Sequence, residues 1–506
     1  MIEENTSELS SLTGELERSP PARSARRAMV FSFAQRYLAF VIQLATSVFL
    51  ARLLTPHETG IFSLAAAAVA IGAVLRQFGT SDYVVSEKHL SDEKLRAAYT
   101  VTVGFAWATA AVLFAAAYPL ANYYDEPGVA DIMHVLCLNF LLVPLGSTSV
   151  ALLTKALRFD TLFWIQTSSE LVAAVVTVLC ALNGLSYLSP AWGSVAGIST
   201  TVLLLFVRSP SAVFMLPGFA NLRQVLRFGG TLTLARIVES IANRSSDFIV
   251  SGMLGFHASG VLSKATSLNA GFYAFFASAI MSVATPVLAQ ARHGNHSVAD
   301  GYRHAIVVMA SIQWLFFGTM AIAAPELVLV LFGDQWHEAV PVLQIGAFQG
   351  MLWAPFMLCT ALLTAYGAVG KQLRINLVYG VVLVACLGVG ALHSLLAAAA
   401  LTVVANILRL ALFSVATKKV SGISTRSVIR GLGPSANVCA FGLTLGFAVR
   451  FLLVSVDYAP WIVLVGTGVA AVGGFLAAAV AIRHPLITEL RKALAAVSKL
   501  PGRTGI

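Results

Sequence analysis

Charged residues are scarce in this sequence. Asp, Glu, Lys and Arg make up 11% of the 506 residues, whereas a soluble domain carries roughly 25%. Hydrophobic residues make up 58%, and the mean hydropathy is +0.82. No soluble fold of this length could bury so much apolar surface, so the composition excludes a soluble globular protein. Because a hydrocarbon core about 30 Å thick requires roughly 20 apolar residues per helix, the chain is long enough for more than a dozen membrane spans.

Motifs of catalysis and of metal or cofactor binding are also lacking. The sequence has no Walker motif, no GxSxG and no HExxH. Its histidines lack metal-ligand spacing, and its five cysteines lie in apolar runs without CxxC spacing, as expected of small buried hydrophobic residues. They are Cys137, Cys180, Cys359, Cys386 and Cys439. We therefore expect no enzyme activity, no metal site and no cofactor.

Long apolar runs between polar breaks predict an all-α integral membrane protein with about fourteen transmembrane helices. Residues 1–27 are polar and lack the apolar segment of a signal peptide, which predicts a disordered tail. The predicted helices cover residues 28–50, 60–80, 98–120, 132–154, 164–184, 186–207, 226–252, 260–290, 303–332, 338–365, 372–391, 393–416, 435–456 and 460–483.

Lys and Arg are distributed unevenly between the loops. Those on the side of the N-terminus carry most of the 33 basic residues, whereas the opposite loops hold only Arg52 and Arg450. Since cytoplasmic loops of membrane proteins carry an excess of Lys and Arg, both termini are predicted to be cytoplasmic. The net charge of +10 is then a consequence of topology and does not indicate nucleic-acid binding.

A shift of 200 residues aligns two stretches of the chain. Residues 54–63, LTPHETGIFS, align with residues 254–263, LGFHASGVLS, and the same shift superposes Arg36 on Arg236. Six spans separate the first helix from the seventh, so the repeats share one orientation and predict two pseudo-two-fold-related six-helix lobes. The predicted organisation is a cytoplasmic tail (1–27), an N-terminal lobe (28–207), a cytoplasmic linker (208–225), a C-terminal lobe (226–416), a cytoplasmic loop (417–434), two further transmembrane helices (435–483) and a cytoplasmic tail (484–506).

Segments of the N-terminal half resemble a known family. Residues 49–63, FLARLLTPHETGIFS, the following QFGTS at 77–81 and the basic KALRFD at 155–160 are similar to bacterial polysaccharide-transport proteins. These are oligosaccharide repeat-unit flippases of the multidrug/oligosaccharidyl-lipid/polysaccharide exporter superfamily. The resemblance implies that an undecaprenyl-pyrophosphate-linked oligosaccharide is flipped across the bacterial inner membrane for exopolysaccharide or lipopolysaccharide assembly. It also implies a polysaccharide polymerase and a chain-length regulator as candidate partners in the lipid bilayer.

The seventh predicted helix has a polar face. Its members recur at i, i+3, i+7 and i+11, with a second arginine beside them: Arg236, Glu239, Asn243 and Asp247, and Arg244. A charge at mid-bilayer costs at least ~2.5–3.5 kcal/mol, so this face is expected to meet a partner or line a cavity. In one interpretation Arg236 pairs with Glu239 and Arg244 with Asp247, which only holds the bundle together. In the other, the face lines a hydrated cavity that binds a pyrophosphate.

Arg36 and its repeat mate Arg236 are the principal candidates for binding the substrate headgroup. At a rise of 1.5 Å per residue, each lies about 10 Å inside the predicted cytoplasmic boundary. In the mechanism that we expect, the lobes open inward, both arginines capture the pyrophosphate-sugar headgroup, and the lobes then rock outward while the prenyl tail stays in lipid.

Other charges inside the spans have two interpretations each. Lys264, Arg76 and Arg409 either extend towards a membrane interface or face the cavity, and Asn406 beside Arg409 slightly favours the cavity for that arginine. Glu170 is either a proton or cation site, or it neutralises an arginine across the cleft, which we favour.

Three other functions compete with the flippase. A cation-coupled multidrug exporter of the same superfamily would need acidic residues in its N-terminal lobe, where Glu170 stands against Arg36 and Arg76. A membrane polysaccharide polymerase or ligase typically has a large periplasmic loop, whereas the predicted outer connections here are short. A lipid II flippase is disfavoured by the local motifs.

Overall fold

The computed structural model describes residues 22–87, 91–208, 215, 217–293, 298–489 and 491. Within these residues every regular element is a helix, and twelve helical segments are long and apolar enough to cross a membrane. The predicted all-α, multi-pass membrane fold is therefore confirmed. The count of fourteen spans stays a prediction, as do the lobe boundaries, and the polar tail before residue 22 lies outside the described residues.

Residue contacts divide the chain into two compact units, Met1–Ser263 and Lys264–Ile506. The helices of the first unit are α1 (Ala22–Leu53), α2 (Pro56–Gln77), α3 (Thr80–Ser86), α4 (Asp92–Tyr124), α5 (Gly128–Lys155), α6 (Phe159–Leu182), α7 (Ser189–Arg208) and the first part of α8 (Leu222–His293). In this unit, α2 packs on both α4 and α5 around Leu64, Ile132 and Phe140, while α1 lies against α6.

The ends of α2 are set by local sequence. Thr55 and Glu58 form a capping box, in which the Thr55 hydroxyl accepts from the Glu58 N–H and Glu58 Oε2 accepts from the Thr55 N–H at 2.7 Å. Pro56 occupies the first turn, where its missing N–H costs nothing. At the other end, Phe78 (φ 37°) and Gly79 (φ 63°) adopt left-handed conformations and turn the chain into the short α3.

The predicted helices 226–252 and 260–290 form one long element, α8, rather than two helices with a loop between them. Its only non-helical residue is Gly255, at φ 84° and ψ 173°. A backbone conformation in this region favours glycine, so a single residue can redirect the helix without a loop.

The second unit also differs from the prediction in where helices break. Its helices after α8 are α9 (Val298–Ile322), α10 (Ala324–Leu331), α11 (Ala339–Trp353), α12 (Cys359–Ala365), α13 (Val369–Ala391), α14 (Leu395–Ser421), α15 (Thr425–Gly431), α16 (Gly433–Ser455) and α17 (Pro460–Ala481). The predicted helix 303–332 is divided near Pro325, and 338–365 is divided by a 3₁₀ turn that contains Pro355. Proline has no N–H to continue the helical hydrogen bonding, which explains both breaks.

Candidate functional site

The first part of α8 crosses α2 at a pair of glycines. A Cβ added to Gly60 would lie well within 3.0 Å of the Phe256 carbonyl, and a Cβ added to Gly260 would lie equally close to the Pro56 carbonyl. The two backbones therefore touch, which requires residues without side chains on both helices. All four residues belong to the first unit.

Asp247 of the predicted polar face is held within this contact region. The Ser63 hydroxyl of α2 donates to Asp247 Oδ1 at 2.8 Å, and the Asp247 side chain is buried, with 8% of its surface exposed. Among the described residues no ion pair joins Asp247 to Arg244. The interpretation in which Arg244 pairs with Asp247 stays open: the two form no salt bridge, but Arg244 interacts electrostatically with the carboxylate, whose Oδ1 accepts from Ser63.

Arg236 also pairs with a neighbouring helix. Its Nη1 donates to Asp82 Oδ2 at 2.9 Å, and both side chains are nearly half exposed. The backbone of α8 approaches the same region at Gly229, which packs on the Phe78 carbonyl. The predicted Arg236–Glu239 pair is wrong: Asp82 stands opposite Arg236 on α3, and within the described part of the chain Glu239 makes no ion pair with it.

The other members of the polar face, Glu239, Asn243 and Arg244, are exposed in the first unit. Arg36 is likewise exposed on α1, where its neighbour Gln35 donates to Gln166 of α6. The structure gives Arg36 no acidic partner among the residues it describes. These side chains are thus available for a ligand, although their role in binding stays a prediction.

Glu170 lies half-buried on α6, one turn after Gln166. Within the described residues it forms no ion pair with an arginine. Its predicted role, whether as a proton or cation site or in neutralising a charge, stays untested.

Arg409 occupies an aromatic cage in the second unit. Its guanidinium carbon lies 4.6 Å from the ring centroid of Trp353, 4.5 Å from that of Tyr379 and 5.7 Å from that of Phe413. Its Nη2 donates to Asn376 Oδ1 at 3.3 Å, while Nε is buried with no hydrogen-bond partner among the described residues. The negative faces of the aromatic rings attract the guanidinium electrostatically.

Two further basic side chains pack on aromatic rings. Lys264 is buried, with its Nζ 5.4 Å from the ring centroids of both Phe332 and Trp336. Arg76 is half-buried, with its guanidinium 5.2 Å from the ring centroid of Phe140.

Sequence reasoning missed the partners of the charged residues. Asp82 lies just beyond the predicted span 60–80, so helical spacing could not pair it with Arg236. Arg450 was grouped with the loops opposite the N-terminus, but it lies on α16 and makes three hydrogen bonds of 2.8–3.1 Å to the Glu326 carboxylate. The only available signal was an acidic residue near a span end, which does not identify a partner more than a hundred residues away.

Solved structures similar to this chain share its fold. The lipid II flippase MurJ in an inward closed conformation superposes with a TM-score of 0.70 at 11% identity, over 91% of this chain and 100% of MurJ. An inward-facing multidrug resistance transporter of the MATE family gives a TM-score of 0.57 at 14% identity, over 76% of this chain and 95% of the transporter. At these identities the likeness establishes the fold alone.

Sequence comparisons identify the family. The succinoglycan biosynthesis transport protein ExoT of Rhizobium meliloti is 27% identical over 69% of this chain and 70% of ExoT. The lipopolysaccharide biosynthesis protein WzxC of Escherichia coli is 23% identical over 60% of this chain and 62% of WzxC. Residues 49–341, more than half of the chain, match the family described as polysaccharide biosynthesis protein, so the chain belongs to that family.

Proposed function

We propose that this protein flips undecaprenyl-pyrophosphate-linked oligosaccharide repeat units across the bacterial inner membrane for exopolysaccharide or lipopolysaccharide biosynthesis. The observation that carries the proposal is the family match over residues 49–341, in a chain whose described residues include twelve helical segments long and apolar enough to span a membrane. The names of two relatives, a succinoglycan transport protein and a lipopolysaccharide biosynthesis protein, support polysaccharide export.

The proposed topology has fourteen spans with both termini in the cytoplasm. The two parts of α8 on either side of Gly255 would supply the seventh and eighth spans. The excess of Lys and Arg in alternate loops supports this orientation. In this orientation the Arg236 region lies towards the cytoplasmic leaflet, in which a lipid-linked repeat unit is synthesised.

The proposed binding site uses exposed cationic and polar groups of the first unit. Arg36, Arg236 and Arg244 supply guanidinium groups, and a guanidinium binds phosphate oxygens through two parallel hydrogen bonds. Asn243 and Glu239 supply hydrogen-bonding groups for sugar hydroxyls. Transport then proceeds by alternating access, with the prenyl chain remaining in lipid.

The test is glycan export in a strain that lacks the protein. We expect lipid-linked repeat units to accumulate on the cytoplasmic leaflet of the null strain and wild type to restore export. The double variant Arg36→Ala/Arg236→Ala should fail to restore it at normal expression. A matched control is Arg158→Ala, which removes an exposed arginine whose nearby acid is Asp160, at 3.6 Å.

Other results of the export test would contradict either the proposed function or the proposed site. Normal export in a null strain without a second flippase would contradict the proposed function, and drug-sensitivity assays would then test the multidrug exporter alternative. Accumulation of lipid II instead of a polysaccharide precursor would indicate a lipid II flippase. Full restoration by the double variant would leave the function standing and remove Arg36 and Arg236 from the site.

A further inference from the structure

Two Arg–carboxylate pairs in the described residues, Arg450–Glu326 and Arg236–Asp82, are built differently. Arg450 binds Glu326 through three hydrogen bonds, and the two side chains are 24% and 10% exposed. Arg236 binds Asp82 through one hydrogen bond, with the side chains 42% and 46% exposed. An exposed pair contributes little to stability, so replacing its anion by another costs little. Breaking a shielded pair leaves a buried charge without a partner and is strongly destabilising.

The helix that presents Asp82 is firmly anchored. Tyr83 and Val84 are buried in the core of the first unit, and the Thr80 hydroxyl lies 2.7 Å from that of Thr102. At the other end of α3, Lys155 Nζ donates to the Glu87 carbonyl at 2.6 Å. Asp82 therefore stands at a fixed place beside Arg236, although its own carboxylate remains accessible.

The Asp82–Arg236 pair lies close to one end of a candidate span. Asp82 is three residues from the end of the candidate span Pro56–Val85, which is about 5 Å along a helix axis. Any accessible guanidinium at this level meets the phosphodiesters of ordinary membrane lipids, which are abundant and carry one negative charge each. A headgroup-binding arginine therefore needs some means of rejecting them.

Asp82 can provide that rejection through charge. A single phosphodiester offers Arg236 one negative charge, which Asp82 already supplies without any loss of ligand entropy. A pyrophosphate has two anionic phosphates and can form bidentate, charge-assisted hydrogen bonds with Arg236 while its second phosphate contacts another cation. Only the pyrophosphate therefore gains enough binding free energy to displace the Asp82 carboxylate from Arg236.

We infer that Asp82 is the resident counter-anion of Arg236 and determines the selectivity of the headgroup site for a pyrophosphate over single phosphodiesters. This inference rests on the proposed function. Asp82 acts through Arg236 and is a positioning residue; it does not itself contact the substrate.

The test measures lipid competition on the full-length purified protein. Native mass spectrometry would record occupancy by undecaprenyl-pyrophosphoryl-hexose in the presence of increasing phosphatidylglycerol. For wild type, phosphatidylglycerol should displace the probe only weakly. For Asp82→Asn, the ratio of the two apparent affinities should fall by about two- to fivefold, the range expected when an exposed ion pair is removed.

Three further variants separate selectivity from structure. Glu87→Gln removes a nearby carboxylate that pairs with Lys94 at 2.8 Å and should leave the ratio unchanged. Asp82→Glu keeps the charge and should retain most of the selectivity. Arg236→Gln should lower occupancy by the pyrophosphate lipid itself, with little change in the thermal unfolding midpoint.

The outcomes distinguish this inference from the function on which it rests. An unchanged ratio in Asp82→Asn, together with weakened probe binding in Arg236→Gln, would overturn the role of Asp82 and leave the proposed function intact. No binding of the probe to wild type would contradict the proposed function. Loss of thermal stability in Asp82→Asn without a change in ratio would assign the pair a structural role and overturn the inference.

Discussion

Gly60 and Gly260 face each other where α2 crosses α8: a Cβ built on Gly260 would lie 3.0 Å from the Gly60 backbone nitrogen. The contact is reciprocal, because Gly60 packs on the carbonyl of Phe256 and Gly260 on that of Pro56. The 200-residue shift pairs Gly60 with Gly260 and Pro56 with Phe256. Two equivalent segments that contact each other through equivalent atoms are related by a local two-fold axis, which supports the internal repeat on geometry as well as on sequence.

Alanine at either glycine should destabilise this crossing. The added methyl group would overlap a backbone carbonyl, which cannot move aside as a flexible side chain can. We expect Gly60→Ala or Gly260→Ala to cost about 1–3 kcal/mol, the usual range for overpacking, and to lower the thermal unfolding midpoint in detergent.

A matched control for the two glycine variants is Gly104→Ala. Gly104 lies within α4, and an added Cβ would meet nothing within 4 Å. Because alanine has the higher helix propensity, this variant should be neutral or slightly stabilising. Equal unfolding midpoints for Gly60→Ala, Gly260→Ala and Gly104→Ala would contradict the close approach of α2 and α8.

The spans were predictable because apolar runs and polar breaks determine which segments can cross a bilayer. Twelve of the fourteen predicted spans correspond to helical segments that, among the described residues, are long and apolar enough to cross a membrane. The form of α8 was not predictable in the same way, because its change of direction occurs at Gly255 alone and leaves no polar loop in the sequence. Pro355 was visible, but a proline near mid-span can either kink a helix or divide it.

The candidate site was predictable only in part. Helical spacing correctly placed charged residues on α8, but it suggested partners on the same helix. The hydrogen-bond partners, Asp82 for Arg236 and Ser63 for Asp247, come from other helices and depend on tertiary packing. The aromatic cage of Arg409 was missed for the same reason, since its three rings lie on different segments of the chain.

Ser63→Ala should destabilise the first unit, although it removes only one hydroxyl group. Ser63 donates the hydrogen bond to the buried Asp247 carboxylate, and a buried acceptor left without that donor costs about 1–3 kcal/mol. Ser147→Ala is the control, because the Ser147 hydroxyl bonds a carbonyl of its own helix. Thermal unfolding in detergent should separate the two variants, and equal midpoints would show that the Ser63–Asp247 bond contributes nothing.

Arg409→Lys should weaken the second unit although the charge is kept. A lysine has no planar guanidinium to place against the Trp353 and Tyr379 rings, and it loses the bond to Asn376. We expect a loss of about 0.5–2 kcal/mol in unfolding free energy, within the range of partly desolvated cation–π contacts. If glycan export falls in this variant while the unfolding midpoint is unchanged, Arg409 acts on the substrate and not only on the fold.

His484 should make the second unit less stable in acid. It is 1% exposed, its Nδ1 accepts from the Leu486 N–H at 3.2 Å, and its Nε2 lies 3.0 Å from the Ser435 hydroxyl. That hydroxyl donates to the Val307 carbonyl, so it accepts from Nε2–H and the imidazole is neutral with both nitrogens satisfied. Burial, and secondarily the nearby His304, lowers the pKa of His484 below its usual value.

The sign of the pH dependence follows from this lowered pKa. Below the unfolded-state pKa of about 6.5 the unfolded chain binds a proton that the folded state resists, so stability falls as the pH falls and levels off below the folded-state pKa. Thermal unfolding from pH 7.5 to pH 5 should show this loss in wild type, reduced in His484→Asn. The exposed His393 provides the control, since His393→Asn should keep the wild-type slope. Identical slopes in all three proteins would mean that His484 binds a proton as readily in the folded state as in the unfolded chain. That result would contradict the hydrogen bonds that hold the imidazole neutral.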